Sequence, residues 1–264
     1  MCELLIDDVC YWVLNAIESL GASVRVRDYC VGVRYTYVLI DVDGTEWLGT
    51  AITLTEDVIG SPYSIPNEVR VEELINYVSS STSLIKSLGT ALLNALSNYL
   101  LWGAKYRIDF RLVTGSEITK LIHGIINEPV LVIGNMGPLI RELRSLGIKD
   151  IRVVERNPCF RCGNALPDTS IPRLVPSNGT LVVTGATLVN DTIDYIMELS
   201  RVRGCRLVLV GPTASVHPKP LLNKGVYAVA SMHPVSNEGV IKVIKLGGGR
   251  WLFSKYCRHY VAIR

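Results

Sequence analysis

Apolar residues recur with helical spacing at the start of the chain. Leu5, Val9, Trp12, Val13, Ala16, Ile17 and Leu20 share one side, and Gly21 stops the helix read over residues 3 to 20. Three strand-like runs follow: Val24 to Tyr29, Val33 to Ile40 and Trp47 to Leu54. The last two are joined by DVDGTE, a hairpin signal centred on Asp43 and Gly44, so the runs form a small antiparallel meander. After a loop with Pro62 and Pro66, helices are expected over about Asn67 to Ser79 and from Ser83 onward. The second has an apolar side (Leu84, Leu88, Leu92, Ala95, Tyr99) and a stripe of Ser87, Thr90, Asn94, Ser97 and Asn98. A solvated face carries Lys and Glu. An uncharged polar stripe fits a hydrogen-bonded interhelical seam, a domain interface or a ligand wall.

Beyond a bridge from Lys105 to Gly115 the pattern changes. VLVIGN (Val130 to Asn135), IRVVERN (Ile151 to Asn157), TLVVTG (Thr180 to Gly185) and RLVLVGPT (Arg206 to Thr213) are apolar runs separated by helical patterns. They read as parallel strands buried on both faces, which makes the fold class α/β. Ligands in such sheets bind outside the carboxyl ends of the strands. The four endings are therefore expected to share one crevice: Gly134 with Asn135, Glu155 with Asn157, Thr184 with Gly185, and Gly211, Pro212 and Thr213. No Gly/Ser-rich or Pro-rich linker separates the halves, so two closely packed domains are expected.

Composition narrows the class. The 264 residues are 48% hydrophobic and 19% charged, as in a well-buried globular protein. A net charge of +3, with scattered Lys and Arg, gives no nucleic-acid footprint. MCELLIDDVC is acidic where a secretory signal is basic. Lys86, Asn94 and Asn98 interrupt the apolar stretch from Leu84 to Trp102. A cytoplasmic protein without a membrane span is expected. The chain has no Gln, a thermophile habit, although Asn is not depleted.

The turn GNMGP should aim free N–H groups of the next helix at the crevice, with Gly134, Asn135, Met136 and Gly137 at the ligand and Pro138 in the first turn. It is not a dinucleotide fingerprint, because Met136 and Leu139 stand where G-x-G-x-x-G needs glycine. Classical NAD binding is therefore not expected. Glu155 lies 21 residues beyond Gly134, where nucleotide-binding sheets hold a ribose-binding acid; position and turn agree on a site role, as that acceptor or as a general base, against the alternative of a surface acid paired with Arg152 or Arg156. Thr187 is an N-cap candidate in TGATLVND, and Asn190 lies in the same first turn. CFRC (Cys159 and Cys162) has zinc or redox spacing but no second C-x-x-C; His217 and His233 could complete a metal set from neighbouring loops. The alternative is two loop thiols and two loop imidazoles.

These blocks carry a family resemblance. VIGNMGPLIREL, VVERNP, LPDT, VTGATLVNDTID, LVGPTASVHPKPL and LGGG, over residues 130 to 250, resemble the DUF364 family, labelled a "putative heavy-metal chelation" domain. GVRYTYVLI, GTAITL and SLGTALLNAL resemble the DUF4213 domain that precedes it. The resemblance implies domains at 1–112 and 113–264. The first would be similar to the enolase N-terminal fold. The second would be Rossmann-like, with partial likeness to methyltransferases and a site between the two. It also implies metal chelators or pterin-like or flavin-like molecules as ligands.

Three functions stay open. An enzyme would use Glu155 as base or hydrogen-bond acceptor, with Asn157, Asn190 and Asn94 positioning a small metabolite. A non-catalytic binder of a heavy metal or metal chelate would bring Cys159, Cys162 and a histidine together. A methyltransferase would place a nucleotide-like methyl donor, S-adenosylmethionine, on Glu155. The expected partner is a small molecule, not nucleic acid or membrane, with a homodimer as the default assembly.

Overall fold

A computed structural model describes residues 4–58, 64–115 and 117–264, without the side chains at 117, 119, 120 and 123. The helix start expected at Glu3 and the loop at Pro62 lie outside the described residues.

Helix α1 (Leu5–Leu20) buries Leu5, Ile6, Val9, Cys10, Val13, Ala16 and Ile17 and ends at Gly21 with φ +61°. Strands β1 (Val24–Val31), β2 (Tyr35–Val42) and β3 (Thr45–Ile52) form an antiparallel meander in that order. Asp43 and Gly44 have φ of 50° and 86°, the left-handed pair that a two-residue hairpin needs. Helices α2 (Thr55–Val58), α3 (Leu74–Val78) and α4 (Ser83–Asn98) follow, and α4 runs into one π-helical turn, Tyr99–Gly103. The helix expected over Asn67 to Ser79 is thus shorter: it opens as a 3-10 turn at Val71–Glu73 and continues as α3. Arg70, between the β-branched Val69 and Val71, is extended at φ −120°, ψ 142°.

The second half contains β4 (Arg111–Thr114), α5 (Glu117–Ile125), β5 (Val130–Ile133), α6 (Gly137–Ser145), β6 (Ile151–Glu155), β7 (Leu166–Pro167) and α7 (Ile171–Leu174). Then come β8 (Thr180–Thr184), α8 (Ala186–Val189), α9 (Thr192–Arg203), β9 (Arg206–Val210) and α10 (Pro218–Asn223). The chain closes with β10 (Ala228–Pro234), α11 (Asn237–Lys245), α12 (Arg250–Phe253) and β11 (Cys257–Ile263). One eight-stranded sheet has the order β4-β11-β10-β9-β8-β5-β6-β7. The strands from β7 to β10 are parallel, and β11 and β4 are antiparallel additions at one edge.

Period-two alternation gives the sheet two apolar faces. Leu131, Ile133, Leu181, Val183, Leu207 and Leu209 join one core with α1, α4 and the meander. Val130, Val132, Val182, Val208 and Val210 face the other way, toward α5 and α6. A third core packs Tyr35, Tyr37, Leu39 and Leu48 of the meander against Val240, Ile244 and Phe253 of α11 and α12. The meander is therefore covered on both sides, partly by helices from the far end of the chain. That is why β2 is a nearly unbroken buried run.

Three residues of the polar stripe of α4 form a seam against strand backbone, while the buried hydroxyls of Thr90 and Ser97 bond no group among the described residues. β3 is an edge strand, with carbonyls open to a further partner. Ser87 Oγ donates to the Ile52 carbonyl at 2.8 Å, Asn94 Nδ2 to Thr50 at 2.7 Å and Asn98 Nδ2 to Leu48 at 2.9 Å. These side chains occupy alternate acceptors of β3 where another strand would bind, and give each of the three a donor.

Candidate functional site

The strand order reverses at β5. From it the chain moves outward through β6 and β7, then returns to place β8 on the opposite side. This is a topological switch point, where the loops at the carboxyl ends part and leave a crevice. Gly134 has φ +98°, and a Cβ there would stand 2.8 Å from Thr184 Cγ2. Glycine is needed on both counts.

A cavity of about 440 Å³ opens at this point. Gly134, Asn135 and Met136 form one wall, and Glu155 and Asn157 another. Thr184, Thr187, Asn190, Gly211 and Pro212 line the side toward β8 and β9. The roof comes from the first half of the chain: Tyr35, Ile52, Thr53, Leu54 and Glu56. Arg156 donates to both oxygens of Asp57 at 2.8 and 3.0 Å, and Asn157 Nδ2 donates to Glu56 at 3.1 Å, which ties α2 down onto the end of β6.

Both oxygens of Glu155 already accept backbone N–H groups, from Asn135 and from Asn157, each at 2.8 Å. The carboxylate clamps the turn after β5 to the turn after β6. Asn135 Nδ2 donates to the Phe160 carbonyl at 2.8 Å and to Cys162 Sγ at 3.1 Å. Its Oδ1 accepts from no group among the described residues. Asn190 is the complement: its Oδ1 accepts from the Thr192 hydroxyl at 2.7 Å, and its Nδ2 donates to no group among the described residues.

Four expected ligand contacts lie elsewhere. Asn94 is fully buried; besides Thr50, its Nδ2 donates to the Thr213 carbonyl at 3.1 Å. Thr213 Oγ1 accepts the Ile52 N–H at 2.9 Å, so Asn94 and Thr213 brace β3 against the turn after β9. Gly185 is required by packing, since a Cβ would come within 2.4 Å of the Ala214 nitrogen. Gly137 faces a neighbouring hollow beside Cys162. Thr187 is not the cap of α8, which begins after Gly185; its hydroxyl donates back to the Thr184 carbonyl at 2.8 Å.

The proposed metal set does not assemble. Cys159 and Cys162 are exposed free thiols on the loop after β6. His217 is fully buried, its ring 4.6 Å from that of Trp12; its Nε2 bonds the Tyr106 carbonyl and its Nδ1 accepts the Lys219 N–H. His233 stacks on Trp102 at 5.1 Å. Burial lowers both imidazoles to about 4. Among the described residues no three His, Cys, Asp or Glu side chains gather in a form that could hold a metal ion. A heavy metal held by the protein's own side chains therefore has no fitting donor set among those residues. No helix among them is long and apolar enough to cross a membrane.

Sequence reasoning missed Tyr35, Glu56, Phe160, Asp168, Tyr195 and Arg250, all of which line the cavity. Signals did exist for some of them: Asp168 lies in the LPDT block, Tyr35 in GVRYTYVLI and Phe160 in CFRC, and Arg250 directly follows the LGGG block.

A model of the DUF364 family, described as "Putative heavy-metal chelation", matches residues 120–263, and a DUF4213 model with the same description matches residues 14–97. An uncharacterized protein of Methanocaldococcus jannaschii is 28% identical over 264 residues, 98% of either chain. The 2.70 Å crystal structure of a DUF364 protein of unknown function from Pyrococcus horikoshii matches with TM-score 0.82 and 26% identity, covering 98% of this chain and 100% of that one. Another, from Desulfitobacterium hafniense, shares the fold with TM-score 0.69 at 17% identity, covering 97% and 98%. With the matched segment running over more than half of its length, the chain belongs to the DUF364 family.

Proposed function

We propose that the crevice at the β5–β8 switch point binds a small, flat, polar-edged metabolite of the pterin, flavin or metal-chelator kind. One observation carries this reading. In a cavity whose other amides and most of whose acids are engaged internally, Asn135 retains an acceptor and Asn190 a donor. A heteroaromatic or chelating edge offers both in reverse, and Ile52, Leu54, Ile133, Met136 and Phe160 supply apolar surface for its faces. A heavy metal then enters as part of the ligand, not through protein side chains. The methyltransferase alternative needs a carboxylate open to a ribose diol, and Glu155 is held by two backbone N–H groups.

Native mass spectrometry with elemental analysis, on protein purified without added metal, tests this. An organic mass at one per chain, lost in Asn190→Leu, supports the reading; any metal should leave with it. A stoichiometric metal without organic mass, lost in a Cys159→Ser/Cys162→Ser variant, would overturn it. So would empty protein whose melting temperature responds to no pteridine, flavin or catecholate chelator.

A further inference from the structure

The charged groups around the cavity are not all alike. Arg156 is locked to Asp57, Glu155 to two backbone N–H groups, and Glu56 to Asn157. Arg250 is different. It opens α12 immediately after Gly247, Gly248 and Gly249, it is half-buried, and it lines the cavity. Among the described residues it has no ion pair and no side-chain hydrogen bond. Arg34 lies beside it: a Cβ on Gly249 would be 3.2 Å from Arg34 Cδ. Arg34 also lacks a carboxylate partner among the described residues. The charges of both arginines reach the buried phenol of Tyr35, which lines the cavity.

Arg250 also stands at a junction. A second hollow of about 470 Å³ lies on the opposite face of the sheet, over Val182, Val208 and Val210. Arg250, Met136 and Gly211 line both hollows. Arg250 is half-buried with no ion-pair partner among the described residues, and the side chain of Arg34 runs past Gly249 at the start of the same helix. A bound anion supplies the missing partner. The planar guanidinium fork suits a carboxylate or a phosphate, which it can hold through two parallel N–H bonds.

We propose that Arg250, supported by Arg34, is an anion-recognising end of the cavity, so that its ligand carries a carboxylate or phosphate group. This rests on the small-molecule reading above and narrows the ligand class. The anion sits at the Tyr35 end, and the polar edge of the ligand lies toward Asn135 and Asn190.

Calorimetric titration of the full chain with inorganic phosphate, and separately with citrate, tests the subsite. Millimolar binding of phosphate or of citrate is expected, and the stronger of the two identifies the source of the anion. Arg250→Gln should weaken it about tenfold and Arg34→Gln about threefold, with the near-ultraviolet circular dichroism unchanged. Lys255→Gln, on the surface after α12, should leave it unchanged. If neither anion binds, or Arg250→Gln binds as tightly as wild type, the proposal falls. A neutral pteridine whose thermal shift is lost in Asn190→Leu but kept in Arg250→Gln would overturn the anion end while leaving the cavity reading intact.

Discussion

A Cβ built on Gly49 would stand 2.0 Å from the carbonyl oxygen of Ala91. Helix α4 therefore rests on the backbone of β3 with no side chain between them, and this closeness lets Ser87, Asn94 and Asn98 reach the strand's carbonyls. Gly49→Ala should cost about 3 kcal/mol or more, because the obstructing atoms are backbone and cannot rotate away. An unchanged denaturant midpoint would show that the helix can step back freely.

Asn94→Leu leaves the carbonyls of Thr50 and Thr213 buried without that donor. A loss of about 2–4 kcal/mol is expected in chemical denaturation. Thr213→Val should cost about 1 kcal/mol through the Ile52 N–H. The double variant should cost less than the sum, since both residues brace the same joint. Strict additivity would contradict a shared role.

Glu155→Gln separates a clamp from a general base. As a clamp, Glu155 gives two charge-assisted bonds, and Gln keeps only one acceptor oxygen. Stability should fall by about 1–3 kcal/mol, and occupancy of the cavity should fall with it. Loss of turnover on an identified ligand, with the melting temperature unchanged, would instead restore the catalytic role.

Stability should fall in mild acid. Burial holds His217 and His233 at about 4, below their usual 6.5, and burial together with the field of Arg250 lowers His259. The unfolded chain thus binds more protons between these values. Stability is complete above pH 6.5 and is lost as the pH falls toward 4, by up to about 3 kcal/mol for His217. His217→Phe keeps a ring against Trp12 and cannot titrate, so denaturant midpoints from pH 7 to 4.5 should slope less steeply than in wild type. An identical slope would remove His217 from the account.

Cys159→Ser/Cys162→Ser should leave zinc uptake unchanged in competition with a chromophoric chelator, because His217 and His233 are held in ring stacks. A stoichiometric zinc that disappears in the variant would show that the loop recruits ligands from outside the described residues.

Much of this molecule was legible in local pattern. Strands β5, β6, β8 and β9 announced themselves because burial on both faces demands unbroken apolar runs. The Asp43–Gly44 hairpin did so because few residues accept two positive φ values in succession. The crevice followed, since parallel strands must carry their following loops at one end. Strands β10 and β11 escaped notice: AVASMHP mixes small and polar residues, and CRHYVAI starts with exposed ones. Their burial depends on neighbours that no local window contains.

The sequence by itself determined α1, the Asp43–Gly44 hairpin, strands β5, β6, β8 and β9 and which of their ends meet, because those properties depend on residues a few positions apart. Tertiary structure alone decided what the side chains there do. It set Asn94 and Thr213 to brace β3 against the turn after β9, gave each oxygen of Glu155 a backbone N–H, and packed His217 and His233 against Trp12 and Trp102. It also brought Arg250 to the cavity beside Tyr35, more than 200 residues earlier in the chain. The reason is physical: a hydrogen bond or an ion pair is set by distance and direction between atoms, and residue spacing along the chain does not encode these once the partners lie on different elements.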